Sequence, residues 1–246
     1  MRGERTKSYT LHGQPVDAAR LPAGLHLVAT PIGNLGDMTY RAVETLKNVD
    51  FILCEDTRHS QVLLNHYGIK KPLVSYFDQS EKKKAPEVIQ RIKEGESAAL
   101  VSDAGTPGIA DPGFRLIAEA IRENISLQAL PGPAALLPAL ILSGLPVSRF
   151  SFEGFFPVKD GARKKLLASM KEEERTLIFY ESPHRLLKTL AAIEETLGDI
   201  HLVVARELSK KFEEVLRGKV SEAITRFEGK KVLGEFVILF NLSEQG

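Results

Sequence analysis

The chain has 246 residues, 43% of them hydrophobic, with 33 Lys+Arg against 32 Asp+Glu. That is enough for one large domain or two small ones, and a net charge of +1 excludes binding to nucleic acid through a strong uniform positive field. A single cysteine, Cys54, excludes an internal disulfide framework and multi-cysteine metal sites, and no apolar run reaches the ~20 residues of a membrane span.

The first 23 residues are polar, lack the apolar centre of a signal peptide and are expected to form a flexible N-terminal tail in a cytoplasmic protein. From Leu25 onward, short Val/Ile/Leu-rich runs alternate with longer segments of helical periodicity. Strands are expected at Leu25–Ala29, Asp50–Cys54, Leu73–Ser75, Ala98–Ser102 and Ser126–Leu130. Helices are expected near Met38–Lys47, Ser60–Tyr67, Ala85–Glu94 and Gly113–Glu123. This alternation predicts a mostly parallel sheet in an N-terminal α/β domain over residues 24–132. After an Ala/Leu-rich helix at Ala134–Leu142 the pattern changes, and residues 133–242 are expected to form a second α/β domain with a mixed sheet. Its strands would be Phe150–Glu153, Thr176–Tyr180, His201–Arg206, Val215–Lys219 and Glu235–Leu242, with helices at Ala162–Lys171, His184–Leu197 and Val220–Phe227.

Several familiar chemistries are missing. No two glycines are separated by a single residue, so the G-x-G-x-x-G dinucleotide fingerprint cannot occur, and there is no G-x-x-x-x-G-K-[ST] loop, G-x-S-x-G elbow or H-E-x-x-H. The six histidines are scattered without metal-ligand spacing, and no metal site is expected. Cys54 ends an apolar run and reads as a core residue.

What stands out are the loops after the strands, where parallel sheets bind ligands. The first is Ala29-Thr30-Pro31-Ile32-Gly33-Asn34-Leu35-Gly36-Asp37, able to lay bare backbone against a ligand and to open a helix capped by Asp37 or Thr39. The second, Glu55-Asp56-Thr57-Arg58-His59, crowds charge at the end of a fully apolar strand, although Asp56 or Thr57 would also serve as a helix cap. The third, Ser102 to Gly113, is small residues almost throughout, with Asp103 and Asp111 as acceptors. The fourth, Leu130-Pro131-Gly132-Pro133-Ala134-Ala135, would let a flat group rest against it. The second domain adds Tyr180-Glu181-Ser182-Pro183-His184-Arg185 and Arg206-Glu207-Leu208-Ser209-Lys210-Lys211, each placing charge at a strand end.

The segments ATPIGNLGD, EDTRHS, SDAGTPGIADPG, LPGPAAL, FEGFFP, IFYESPHRL, ARELSKKFEEVLRG and GEF occur in an order and spacing that resemble one bacterial branch of the tetrapyrrole-methylase superfamily. In particular, the chain resembles the bacterial members that methylate small-subunit ribosomal RNA, over roughly Gly24 to Leu242. The resemblance implies a homodimer whose two α/β domains hold S-adenosylmethionine in the cleft between them. It also implies methylation of the ribose 2′-oxygen of a cytidine in the decoding region of 16S ribosomal RNA in the small ribosomal subunit. Carried onto this sequence, the cofactor contacts fall on Pro31, Asp103, Ala104, Gly105, Thr106, Ile109, Ala134, Ala135, Tyr180, Glu181 and Leu208. One departure is Ser75-Tyr76-Phe77-Asp78-Gln79-Ser80-Glu81, where the family carries a histidine- and asparagine-containing segment.

Methyl transfer from a sulfonium needs neither a metal nor a covalent enzyme intermediate, so positioning is the main task, together with a general base for the ribose proton. Among Glu55, Asp56, Asp103, Glu181, His184 and Glu207, the first choices are Glu181 and the Glu55–Asp56 pair. Local basic patches that would neutralise RNA phosphates are Lys82, Lys83 and Lys84; Arg163, Lys164 and Lys165; and Lys210–Lys211, with Arg58 and Arg185 nearer the target nucleotide. Tyr76, Phe77, Phe155 or Phe156 would stack on a splayed base. The competing readings are a methyltransferase acting on a small tetrapyrrole-like acceptor, favoured by an apolar basin instead of lysines, and a non-catalytic RNA-binding factor, opposed by four intact cofactor loops.

Overall fold

The computed structural model describes residues 7–11, 14–18 and 21–243. The chain divides into two units, Met1–Pro133 and Ala134–Gly246. Within the expected N-terminal tail, β1 (Lys7–Leu11) pairs antiparallel with β2 (Gln14–Ala18), and residues 1–6, 12–13 and 19–20 of that tail lie outside the described residues.

The main sheet of the first unit contains β3 (Gly24–Val28), β4 (Phe51–Cys54), β5 (Leu73–Ser75), β6 (Ser97–Val101) and β7 (Leu127–Leu130), all parallel in the order β5-β4-β6-β3-β7. Side chains alternate across it with the strand period of two. Leu25, Leu27, Phe51, Leu53, Ala98 and Leu100 enter one core, while Val28, Ile52, Cys54, Ala99 and Val101 enter the other. Both faces are covered, which is why these strands read as continuous apolar runs. Cys54 is fully buried, and burial pushes its thiol up from the ordinary value, as expected of a core residue.

The helices of this unit are α1 (Tyr40–Asn48), α2 (Thr57–His66), α3 (Asp78–Lys93) and α4 (Phe114–Arg122). Thr39 caps α1 by accepting from the Ala42 N–H at 3.1 Å, and Asp56 caps α2 by accepting from the Arg58 N–H at 2.8 Å. Helix α2 therefore begins three residues earlier than the apolar periodicity suggests. Helix α3 begins seven residues before the expected Ala85. Its first turn is set at Phe77, whose N–H donates to Ser80 Oγ at 3.0 Å and whose carbonyl accepts from Glu81 N–H at 3.1 Å. Pro86 then lies inside the helix, which loses one backbone hydrogen bond there instead of starting at it.

The second unit carries α5 (Leu136–Ser143), β8 (Phe150–Phe155), α6 (Asp160–Ser169), β9 (Thr176–Glu181), α7 (Leu186–Leu197), β10 (His201–Arg206), β11 (Glu214–Lys219), α8 (Val220–Phe227) and β12 (Phe236–Phe240). The sheet order is β11-β10-β12-β9-β8, parallel only between β8 and β9, so the expected mixed sheet is found. One face packs against α6, α7 and α8 around Phe179, which stacks on Phe156 at 3.9 Å and Phe240 at 5.9 Å between ring centres. Among the described residues no helix is long and apolar enough to cross a membrane.

Candidate active site

Because every strand of the first sheet runs the same way, the loops after β3, β4, β6 and β7 emerge at one edge, and hydrogen bonds stitch them together. Thr30 and Gly105 exchange both backbone bonds, at 2.8 and 3.0 Å, joining the first loop to the third. Gly105 sits at φ +88°, a backbone a larger residue adopts only with strain. Buried Thr30 donates its hydroxyl to the Ser102 carbonyl at 3.0 Å, and Ser102 donates its own to the Gly105 carbonyl at 2.8 Å. Thr106 Oγ1 donates to the Pro133 carbonyl at 2.9 Å, tying the third loop to the fourth. The Asp56 N–H donates to Asp103 Oδ1 at 3.3 Å, tying in the second. Gly132 passes so close to Ala29 that a Cβ there would lie 2.7 Å from the Ala29 methyl.

Pro31, Asp103, Ala104, Gly105, Thr106 and Ile109 are thus gathered on one stitched rim. Ala104 and Ile109 are exposed, Asp103 and Thr106 half-buried, Pro31 and Gly105 buried. The rim offers backbone amides and carbonyls, one carboxylate and apolar surface, with no lysine or arginine among these residues. Such a set suits a flat, polar molecule carrying positive charge better than a phosphorylated one.

In the second unit, the strand directions again bring site residues to one edge. Phe236 at the start of β12 faces Glu181 at the end of β9 and Arg206 at the end of β10, and β8 ends beside β9. Leu208 follows Arg206 in a turn where Glu207 and Ser209 both take positive φ, at +51° and +66°. The Tyr180 hydroxyl accepts from the Leu136 N–H at 3.2 Å, which fixes Tyr180 against the start of α5 and the adjoining Ala134 and Ala135. Phe152 and Phe155 pack edge-on against the Tyr180 ring at 4.7 and 5.7 Å.

The acidic candidates differ sharply. The side chain of Glu181 is fully enclosed: it accepts from the Ser182 N–H at 2.7 Å and the Thr189 hydroxyl at 2.6 Å, and pairs with Arg185 at 2.7 Å. Asp56 is committed to capping α2, and its hydrogen bonds from the Arg58 side chain and backbone bring its carboxyl down to about 2, a poor proton acceptor. Glu55, between β4 and the α2 cap, is exposed. Burial pushes the Glu207 carboxyl up, but Lys210, the Glu235 N–H, to which it is also bonded, and Arg206 together hold it below its ordinary value.

The basic candidates separate too. Arg163 is buried, its guanidinium donating to the Val158 and Lys188 carbonyls and pairing with Asp160, so it braces the start of α6 and is removed from the RNA-facing set. Lys164 is held between Asp160 and Glu195 at 3.0 and 2.6 Å, whereas Lys165, Lys82 and Lys83 are exposed. Arg58, 90% exposed, pairs with Asp56, and Lys210 bridges Glu207 and Glu235. Arg185 donates to the Phe156 carbonyl at 3.0 Å and lies over the Phe155 ring. Tyr76 and Phe156 are buried core rings, which leaves the exposed Phe77 and Phe155 as stacking surfaces.

Glu81 is a residue the sequence reading missed. It lies in the segment that departs from the family pattern, is buried, and accepts from the Gly113 N–H at 2.6 Å, pinning the far end of the long Gly loop. Arg115 stands 3.7 Å from its other oxygen.

The fold is shared with solved structures. A diphthine synthase aligns with a TM-score of 0.68 at 16% identity, covering 90% of this chain and 95% of that one. A uroporphyrin-III-C-methyltransferase from Thermus thermophilus aligns at 0.62 and 18%, covering 89% and 95%. Residues 24–224 match the family model of the tetrapyrrole (corrin/porphyrin) methylases, and the chain belongs to that family. It is 51% identical over 220 residues to the ribosomal RNA small subunit methyltransferase I of Thermotoga maritima, covering 89% of this chain and 99% of that one. It is 50% identical over 216 residues to the protein of the same name from Synechocystis sp., covering 87% and 77%.

Proposed function

We propose that the protein transfers a methyl group from S-adenosylmethionine to the ribose 2′-oxygen of a cytidine in the decoding region of 16S ribosomal RNA. The observation that carries the reading is the stitched rim of four small-residue loops, in a chain half identical to enzymes named for small-subunit ribosomal RNA methylation. The rim's chemistry fits the cofactor: Asp103 and the backbone of Ala104–Thr106 offer acceptors to its cationic and polar groups, and Pro31 and Ile109 offer apolar contact. Tyr180, Ala134, Ala135 and Leu208 are assigned to the same cofactor. When bound, S-adenosylmethionine supplies an electrophilic methyl group on a positively charged sulfur.

The protein's part is then positional and protonic. Holding a hydroxyl in line for attack is worth ~7–11 kcal/mol of barrier. Glu181 acts by fixing Arg185 and Asp56 by starting α2, and of the three first choices the solvent-exposed Glu55 is assigned to take the ribose proton. Arg185, Arg58, Lys82, Lys83, Lys84, Lys164, Lys165 and Lys210 are assigned to RNA, with Phe77 and Phe155 as stacking surfaces. The exposed apolar side chains of α5, Leu137 and Ile141, support a homodimer, and a ribosomal substrate places the enzyme in the cytoplasm.

The acceptor class is tested by offering labelled S-adenosylmethionine with small ribosomal subunits from a strain lacking the enzyme, and separately with a corrin or porphyrin precursor. Label is expected in the RNA alone. Label in the tetrapyrrole alone would overturn the reading.

A further inference from the structure

One concentration of charge in the second unit is used neither by the loops nor by the basic residues assigned above. Arg206 at the end of β10, Arg226 in the last turn of α8, and Lys230 and Lys231 just beyond it line a cavity of about 90 Å³ that contains a single carboxylate, Glu214. Arg226 grips Glu214 with two nitrogens at 2.7 and 2.8 Å. Arg206 reaches the other Glu214 oxygen at 3.4 Å and donates Nε to the Leu233 carbonyl at 2.8 Å. Lys230 donates only to the Arg226 carbonyl, at 3.2 Å, and Lys231 makes no hydrogen bond or ion pair among the described residues.

Four cations line the cavity with one carboxylate, and although Arg206 also acts on the neighbouring Glu207, positive charge remains in excess at the two lysines, where an external anion is stabilised. The arginines are braced by the carboxylate and the main chain, so their remaining N–H groups are held in place before a ligand arrives, and the concave wall concentrates the field. The cavity lies well below the ~300–1,000 Å³ of small-molecule sites, so it suits a single phosphate group better than a nucleoside. Arg206 is also two residues before Leu208, so an anion seated here lies beside the strand end assigned to the cofactor.

We infer that this notch seats a backbone phosphate of the RNA substrate, adding Arg206, Arg226, Lys230 and Lys231 to the RNA-binding surface. The inference rests on the RNA reading of the function and goes beyond it by naming where the second unit grips the strand. Phosphate contacts position nucleic acid without reading its sequence, so this grip would set register, and its loss would weaken binding to all sequences alike.

The test is the double variant K230A/K231A, which removes two exposed side chains and leaves the Arg226–Glu214–Arg206 brace intact. Binding to a labelled RNA fragment of the decoding region is measured over a range of salt concentrations, and binding to intact small subunits alongside it. We expect affinity to fall about tenfold and the slope of log affinity against log salt to shrink by about one. Unfolding temperature and S-adenosylmethionine affinity should be unchanged, and K230R/K231R should restore binding. Parent-like RNA affinity and salt slope in K230A/K231A would overturn the notch while leaving the RNA reading standing. Weakened binding to subunits with unchanged binding to naked RNA would also overturn it, by pointing to a protein partner. Failure of the unaltered protein to bind RNA at all would overturn the RNA reading itself.

Discussion

The enclosed Glu181 gives the most exposed wager on how the second unit is held together. Its carboxylate meets three donors, the Ser182 N–H, the Thr189 hydroxyl and the Arg185 guanidinium, at 2.6 to 2.7 Å, with its own side chain 0% exposed and that of Arg185 19% exposed. Replacement by alanine strands a partly buried cation and two buried donors, a defect worth about 3–5 kcal/mol. Replacement by glutamine keeps the shape: one oxygen still accepts from Arg185 and Ser182, and the amide can donate to the Thr189 hydroxyl. Only the charge assistance is lost, and the cost falls to about 1–2 kcal/mol. Because the two units have separate cores, the readout should be local, and hydrogen exchange along the β9–β12 ladder in increasing urea provides it. A third variant, E181A/R185M, removes both charges and should be less damaged than the sum of the single changes. The reasoning is refuted if E181A, E181Q and R185M all lie within ~0.5 kcal/mol of the parent, or if the double variant shows simple additivity.

The remaining predictions concern the rim and the acid limb. Gly132→Ala forces a methyl to within 2.7 Å of Ala29, so it should cost about 1–3 kcal/mol and weaken S-adenosylmethionine binding in a calorimetric titration; adding Ala29→Gly should recover much of both. Glu81→Leu leaves the Gly113 N–H buried without its acceptor, at about 1–3 kcal/mol, and should speed exchange of that amide, whereas Glu81→Gln should largely preserve it. The folded-state carboxyl of Asp56 stands at about 2 against an ordinary 3.8, so its contribution to stability is complete above the ordinary value and is lost as pH falls through about 2. Asp56→Asn should still cap α2 but should flatten that part of an acid titration followed by circular dichroism; an unchanged acid limb would contradict the assignment. Glu55→Gln should lower kcat by ~10²–10⁴ with cofactor affinity intact, and full activity would remove Glu55 as the base.

Much of the fold is legible because the physics is local. Strands such as Phe51–Cys54 and Ser97–Val101 are buried on both faces, and only continuous apolar runs satisfy that. The loops are legible for a related reason: the twelve positions from Ser102 to Gly113, small residues at all but Ile109, serve backbone geometry, which leaves a compositional mark. Helix starts are less legible, since α3 is begun by the Ser80 hydroxyl bonding to Phe77, in a stretch with no apolar stripe, while Pro86 mimics a start farther on. The roles of charged residues are the hardest to read. Arg163 and Lys165 are two apart in one basic run, yet Arg163 is buried against main-chain carbonyls and Lys165 faces solvent. Nothing local separates them, because the carbonyl of Lys188 that accepts from Arg163 lies 25 residues away. Glu181 and Glu55 divide in the same way, each at the end of an apolar run, Glu181 enclosed by Thr189 of the next helix and Glu55 exposed.

The most direct test of the central claim is to map the methyl group. Small subunits from a strain lacking the enzyme are incubated with the purified protein and labelled S-adenosylmethionine, and the 16S RNA is hydrolysed with alkali, which spares the linkage after a 2′-O-methylated ribose. The account predicts label in one alkali-resistant dinucleotide whose 5′ residue is a cytidine of the decoding region. Label that alkali releases in mononucleotides, as base methylation gives, or no label despite measurable cofactor binding, would contradict it.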